Sequence, residues 1–116
     1  MDLNGYVIVL EEDLLLRPLL ERWLGEEGYQ VAAPVPGGAK PALVIADVPD
    51  PRAAGALIRS LQEYAAPILL LSARFRRGLA GSTETARRLG VKKVLPKPFT
   101  REEFLSAVHE SIEGAA

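Results

Sequence analysis

Four short runs in this 116-residue chain are apolar or β-branched with no clear alternation. They are "YVIVL" at 6–10, "ALVIA" at 42–46, "PILLL" at 67–71 and "KVL" within 91–95. A strand with one face in water alternates apolar and polar side chains. A strand that is apolar throughout has both faces covered, which is the habit of parallel sheets flanked by helices. A weaker fifth run, "YQVAA" at 29–33, lies between the first two. None of the runs is long enough to span a bilayer. These strands therefore restrict the chain to a parallel α/β architecture more tightly than any other feature it has.

Helical patterns separate most of the runs. Residues 14–27 place Leu16, Leu19, Leu20, Trp23 and Leu24 on one stripe, with Arg17, Glu21, Arg22 and Glu26 opposite, and Gly28 stops the helix. Pro18 falls in the second turn, where its missing N–H distorts or delays the helix start. Residues 52–64 carry Ala53, Ala56, Leu57, Leu61 and Tyr64 on a second stripe. Residues 82–89 open with Ser82 as N-cap and end at Gly90. Residues 101–112 follow Thr100 and Glu103 at capping-box spacing and present Phe104, Leu105, Val108 and Ile112. The order is β-α-β-(loop)-β-α-β-α-β-α. The loop is "PVPGGAKP" at 34–41, whose three prolines and two glycines in eight residues rule out a regular helix.

The length suits one domain, 1–116, with no internal repeat or linker. Fourteen basic and 15 acidic side chains leave a net charge near −1, which gives no bulk electrostatic case for nucleic acid or an anionic membrane. With no cysteine, disulfides, thiolate metal sites and thiol nucleophiles are excluded. The N-terminal "MDLNGY" lacks the positive region of a signal peptide, so a cytoplasmic location is expected. The single histidine, His109, reads as a solvated helix residue.

In an open parallel sheet, ligands bind beyond the carboxyl ends of the strands. There the first strand delivers Glu11, Glu12 and Asp13, the third Asp47 with Asp50 close behind, the fourth Ser72 and the fifth Lys97. Clustered carboxylates with oxygen-only partners suit a hard divalent cation, above all Mg²⁺. A lysine supplies a point charge for an anion or carboxylate, and a serine hydroxyl can donate to a phosphoryl oxygen. An aspartate between metal and lysine can attack phosphorus and form an acyl phosphate.

With these pieces in place, the chain resembles the receiver domain of two-component response regulators, the family of the single-domain chemotaxis regulator. The resemblance covers residues 6–112. It rests on the acids of "VIVLEED", on "EEGYQV", on "LVIADVPDP", on "PILLLSA" and on "GVKKVLPKPF", of which Lys-Pro-Phe is the most specific. It implies a flavodoxin-like doubly wound sheet of five parallel strands in the order 2-1-3-4-5, with the second helix replaced here by the Pro/Gly loop. It also implies Asp47 as phosphoacceptor, taking a phosphoryl group from a sensor histidine kinase or phosphotransfer protein. Glu11 and Glu12 align with the metal-binding acids, Asp47 shares the metal, and the Pro49 carbonyl is the backbone ligand for Mg²⁺. Ser72 matches the hydroxyl that reorients on phosphorylation, Lys97 the lysine that pairs with the phosphoryl group, and the bond before Pro98 is cis in that family. Output would go to a downstream effector protein, a homodimer stays open, and the activity expected is self-phosphorylation and dephosphorylation rather than that of a conventional enzyme.

Three positions depart from the family pattern. Glu12 stands where an aspartate usually touches the metal, and its extra methylene moves the carboxylate outward, weakening the contact or routing it through water. Asp13, next along, is the alternative metal ligand, but the family register aims it at the helix start, where N-capping is its expected role. Val94, three before Lys97, replaces an aromatic ring that turns inward with the hydroxyl residue. The lost helix leaves one face of the second and third strands thinly covered, which favours a partner or self-association. These departures motivate the alternative of a pseudo-receiver, a phosphorylation-independent interaction module. Arg74, Arg76 and Arg77 beside the site read as a solvated loop, with contact to a kinase or phosphorylated partner as the functional alternative. A flavodoxin or Mg²⁺-hydrolase reading is disfavoured, because "LEED" repels a flavin phosphate.

Overall fold

The computed structural model describes residues 6–33, 40–48, 51–73 and 82–113. Strands β1 (Val7–Leu10), β2 (Leu43–Asp47), β3 (Ile68–Ser72) and β4 (Lys93–Pro96) alternate with helices α1 (Leu16–Glu26), α2 (Ala54–Leu61), α3 (Ser82–Leu89) and α4 (Arg101–Glu113). The sheet is parallel throughout in the order β1-β2-β3-β4, with Val7 opposite Leu43, Val44 opposite Ile68 and Leu69 opposite Lys93. No helix among the described residues is long and apolar enough to cross a membrane.

Alternation along each strand divides the core into two layers. Val7, Val9, Leu43, Ile45, Leu69 and Leu71 face α1 and α4, packing on Leu20, Leu24, Phe104 and Val108. Ile8, Val44, Ala46, Leu70 and Val94 face α2 and α3, packing on Ala54, Ile58, Leu61 and Ala86. Both faces are covered, so the strands could dispense with polar positions.

Among the described residues the sheet has four strands rather than the five expected. Residues 29–33 do lie beside β1, but only through a Val7–Val31 parallel bridge, with the Val7 amide donating to Gln30 O at 2.8 Å and the Ala32 amide to Val7 O at 3.2 Å. The segment ends in two alanines and Pro34, which offer little to pack and no donor to extend the ladder. The Pro/Gly loop expected in place of a second helix falls on 34–39, outside the described residues. β2 is nevertheless buried from Leu43 to Ala46, so thin cover is not found there. Exposed large apolar side chains gather elsewhere, at Leu10, Leu14, Leu15 and Leu19.

Helix ends follow local chemistry. Leu15 and Leu16 amides donate to Asp13 Oδ1 at 2.8 and 3.0 Å, so Asp13 is the cap expected of it. The Arg17 amide reaches Asp13 O at 3.0 Å, whereas Pro18 has no amide to continue the series, and the regular helix starts at Leu16 rather than 14. Gly28 (φ 90°) and Gly90 (φ 80°) close α1 and α3 in left-handed conformations. The Tyr29 amide reaches back to Leu24 O and the Val91 amide to Ala86 O, a Schellman pattern at both ends. At α4 the Glu103 amide donates to Thr100 Oγ1 at 3.0 Å and the Thr100 amide to Glu103 Oε1 at 2.8 Å, completing the capping box. Residues 52–64 are helical in three pieces, with 3₁₀ turns at Pro51–Ala53 and Gln62–Tyr64 on either side of α2.

Candidate functional site

The carboxyl ends of all four strands meet at one edge because the sheet is parallel and in register. There Lys97 Nζ lies 2.7 Å from Asp47 Oδ1 and 3.0 Å from Glu11 Oε1, joining groups delivered by β4, β2 and β1. The Glu11 side chain is only 2% exposed, whereas Lys97 and Asp47 keep about a fifth of theirs, 20% and 19%. Burial alone pulls the Lys97 pKa down. Its hydrogen bond to Asp47, its contact with Glu11 and the charge of both acids outweigh that and hold it above the ordinary value. The Lys97–Pro98 peptide is cis.

The acids of the opening cluster have divided their work. Glu11 Oε2 accepts from the Asp13 amide at 3.2 Å, while its buried Oε1 faces the ammonium without hydrogen-bond geometry. Glu12 is exposed. Asp13 spends its carboxylate on the helix, and the Leu16 and Leu15 amides hold its pKa below the ordinary value. Glu11, Glu12 and Asp47 line one pocket of about 520 Å³ with Leu10, Leu14, Arg17 and Leu57. Among the described residues, no three acidic or imidazole side chains approach closely enough to hold a metal ion.

That arrangement still fits the chemistry of a hard divalent cation. Mg²⁺ takes one or two carboxylates and keeps waters for the rest of its shell. Glu11 and Asp47 supply the two carboxylates, and Glu11 Oε1 is a buried acceptor with no hydrogen-bond donor. Lys97 already serves both, so a cation would share or displace an existing positive charge.

Ser72 ends β3 fully buried, and its hydroxyl donates to Val48 O at 3.0 Å. Val94 is buried against α2 and α3. Pro49, Asp50, Arg74, Arg76 and Arg77 lie outside the described residues. His109 sits exposed on α4, its Nε2 3.2 Å from Glu113 Oε2, as a solvated residue would. Sequence reasoning missed the pocket wall. Arg17 is exposed on the polar side of its helix, as expected, and from there it also lines the pocket and pairs with Glu21 at 3.2 Å. Leu14, 88% exposed, lines the pocket, and Leu15, 86% exposed, follows it in the turn that Pro18 keeps out of the helix. Pro18 was the available signal, since shifting the helix start re-aims every residue before it.

No family model matches the sequence. The chain is 34% identical over 119 aligned positions to "Transcriptional regulatory protein PdtaR" of Mycobacterium tuberculosis, an alignment covering 91% of this chain. It spans 56% of that relative's length, so about half of the curated relative has no counterpart in the match. Among solved structures it is similar to a response regulator receiver protein from Burkholderia phymatum (25% identity, TM-score 0.70), with 94% of this chain and 95% of the other covered. A response regulator from Thermotoga maritima shares the fold at 23% identity and a TM-score of 0.73, with 96% and 99% covered.

Proposed function

This chain is a receiver-type domain, alike in sequence and backbone to the receiver domains of two-component response regulators, and from that premise we propose that it accepts a phosphoryl group on Asp47. The donor is a phosphohistidine of a sensor histidine kinase or phosphotransfer protein. A carboxylate oxygen of Asp47 attacks phosphorus, the P–N bond breaks, and the imidazole leaves with its electron pair and takes a proton from solvent. Lys97, already 2.7 Å from Asp47, stays to neutralise charge on the transferred oxygens. Ser72 donates to one of those oxygens from the neighbouring strand. Glu11, Glu12, Asp47 and the Pro49 carbonyl would hold Mg²⁺, which when bound neutralises phosphoryl charge. The phosphorylated population then engages a downstream effector protein.

The observation that carries this reading is the Lys97 bridge to Asp47 and Glu11, two acids that line the pocket. The test is incubation with Mg²⁺ and acetyl phosphate, read by intact mass. A phosphate increment on the wild type, absent from Asp47→Asn, is expected; no increment with any divalent metal would sink the proposal.

A second reading, a phosphorylation-independent interaction module, is favoured by one observation. Among the described residues the three acids of the pocket do not converge as metal ligands, and Glu12 is exposed. Glu12→Asp decides between the two. Faster labelling and tighter Mg²⁺ binding support the phosphoacceptor with a geometric handicap, whereas unchanged metal affinity removes Glu12 from the metal site.

A further inference from the structure

We infer that Arg17 is the docking residue for the anionic phosphodonor, holding its phosphoryl group at the pocket wall while Asp47 attacks. The inference rests on the phosphoacceptor reading and adds to it the residue that captures the donor.

The charges around the pocket create the need for one. Glu11, Glu12 and Asp47 line it, and Lys97 bridges Glu11 and Asp47 at 3.0 and 2.7 Å. Three carboxylates against one ammonium leave the site with an excess of negative charge. A phosphoryl donor is itself an anion, so it meets repulsion before it meets the nucleophile. Among the described residues lining the pocket, Arg17 is the only basic one.

Arg17 is held at both its backbone and its side chain. Its amide donates to Asp13 O at 3.0 Å, beside the Leu15 and Leu16 amides that donate to Asp13 Oδ1. The third acid of the opening cluster thus fixes the turn from which Arg17 projects. The side chain is tied at Nε, which donates to Glu21 Oε2 at 3.2 Å. A guanidinium carries five N–H donors in a planar fork, and this contact uses one of them. Its terminal Nη groups have no partner among the described residues. With 54% of the side chain exposed, a donor can reach them from solvent, and two parallel N–H groups match two phosphoryl oxygens. Leu10, Leu14, Ala53 and Leu57 supply the apolar part of the wall and offer a phosphoryl group no side-chain donor.

The plain alternative is an ion pair on a helix surface, which contributes little. Arg22 is that case, since it pairs with Glu26 at 3.4 Å on the same helix but does not line the pocket.

The two arginines together make the test. Labelling of the full chain by acetyl phosphate at saturating Mg²⁺ is followed by intact mass as donor concentration is varied. Asp47 forms the new O–P bond as the bridging P–O bond breaks and acetate leaves with the electron pair. Arg17→Gln should raise the half-saturating donor concentration roughly five-fold at an unchanged maximal rate, the upper range for an exposed ion pair. Gln is a good helix former, so this exposed position should keep its fold. Arg17→Lys should recover part of the loss, because an ammonium restores the charge but not the fork. Arg22→Gln removes the same charge and should leave both parameters at their wild-type values. Added salt should raise the wild-type half-saturation toward that of Arg17→Gln. An unchanged half-saturation in Arg17→Gln, a fall in maximal rate alone, or an equal rise in Arg22→Gln overturns the inference. In each of those outcomes Asp47 is still labelled, so the phosphoacceptor reading stands. If wild type takes no phosphate with any divalent metal, both fall together.

Discussion

Replacing Lys97 with methionine keeps most of its aliphatic bulk and removes only the charge. What remains is Glu11, 2% exposed, and Asp47, 19% exposed, both acids having lost the ammonium that stood 3.0 and 2.7 Å away. At an effective dielectric near 20 each contact is worth about 5–6 kcal/mol of gross attraction, most of it offset by desolvation. The relevant quantity is the cost of stranding the acids, about 3–5 kcal/mol where one partner of a buried pair is deleted. Because Lys97 and Asp47 retain some water, the expectation is lower, about 2–4 kcal/mol. For a domain of this size that is a fall in Tm of roughly 10 °C. Urea titration should show the same loss as a lower midpoint at unchanged slope. The loss should shrink to about 1 kcal/mol in a Glu11→Gln background, because the stranded buried charge is then absent. The pH dependence has a definite sign. Lys97 is raised above 10.5, so its contribution is complete below that value and is lost as pH rises through the folded-state value above it. The gap between wild type and Lys97→Met should therefore hold through neutral pH and close only in strong alkali. A variant as stable as wild type at neutral pH, or an equal loss with and without Glu11, would refute the bridge as a stabilising contact.

Asp13→Ala removes the acceptor of two helix amides and should lower Tm by a few degrees at neutral pH. Asp13 is held below 3.8, so its contribution is present above that value and is lost as pH falls through the folded-state value; melts in increasing acid should show wild type and variant converging. Phe104→Ala empties the largest fully buried site, where the ring sits 5.9 Å from Trp23 and 5.7 Å from Phe99, and should cost about 3–5 kcal/mol with a change in tryptophan emission. Gly28→Ala meets nothing within 4 Å at its new Cβ, so only the φ of 90° is penalised, and denaturant titration should find about 1–2 kcal/mol.

Much of the fold was legible because its signals are local. Unbroken apolar strands, the capping box at Thr100 and Glu103, and the glycines after α1 and α3 each act within a few residues, and each reappears in the structure. The fifth strand failed for a reason of degree. A run carrying Gln30 and two alanines, and followed by Pro34, has enough pattern to lie beside β1 but too little packing to build a ladder.

That Glu11, Asp47, Ser72 and Lys97 lie at one edge was also legible, since a parallel sheet sends every strand end there. How they share it was not. That Lys97 spans Glu11 and Asp47, that Glu12 is left exposed, and that the Ser72 hydroxyl turns to Val48 depend on side chains brought together across 24 to 86 positions of chain. Burial differs among three adjacent acids because one continues the buried pleat, one turns outward and one caps a helix. The cap at Asp13 was legible from the helix start that follows it, but no property of Glu11 or Glu12 read alone distinguishes their fates. The sequence by itself determined four strands, the helices between and after them, their order and the edge at which chemistry collects. Only the tertiary structure decided which carboxylate keeps the lysine, because that is settled by burial and distance across strands rather than by residue type.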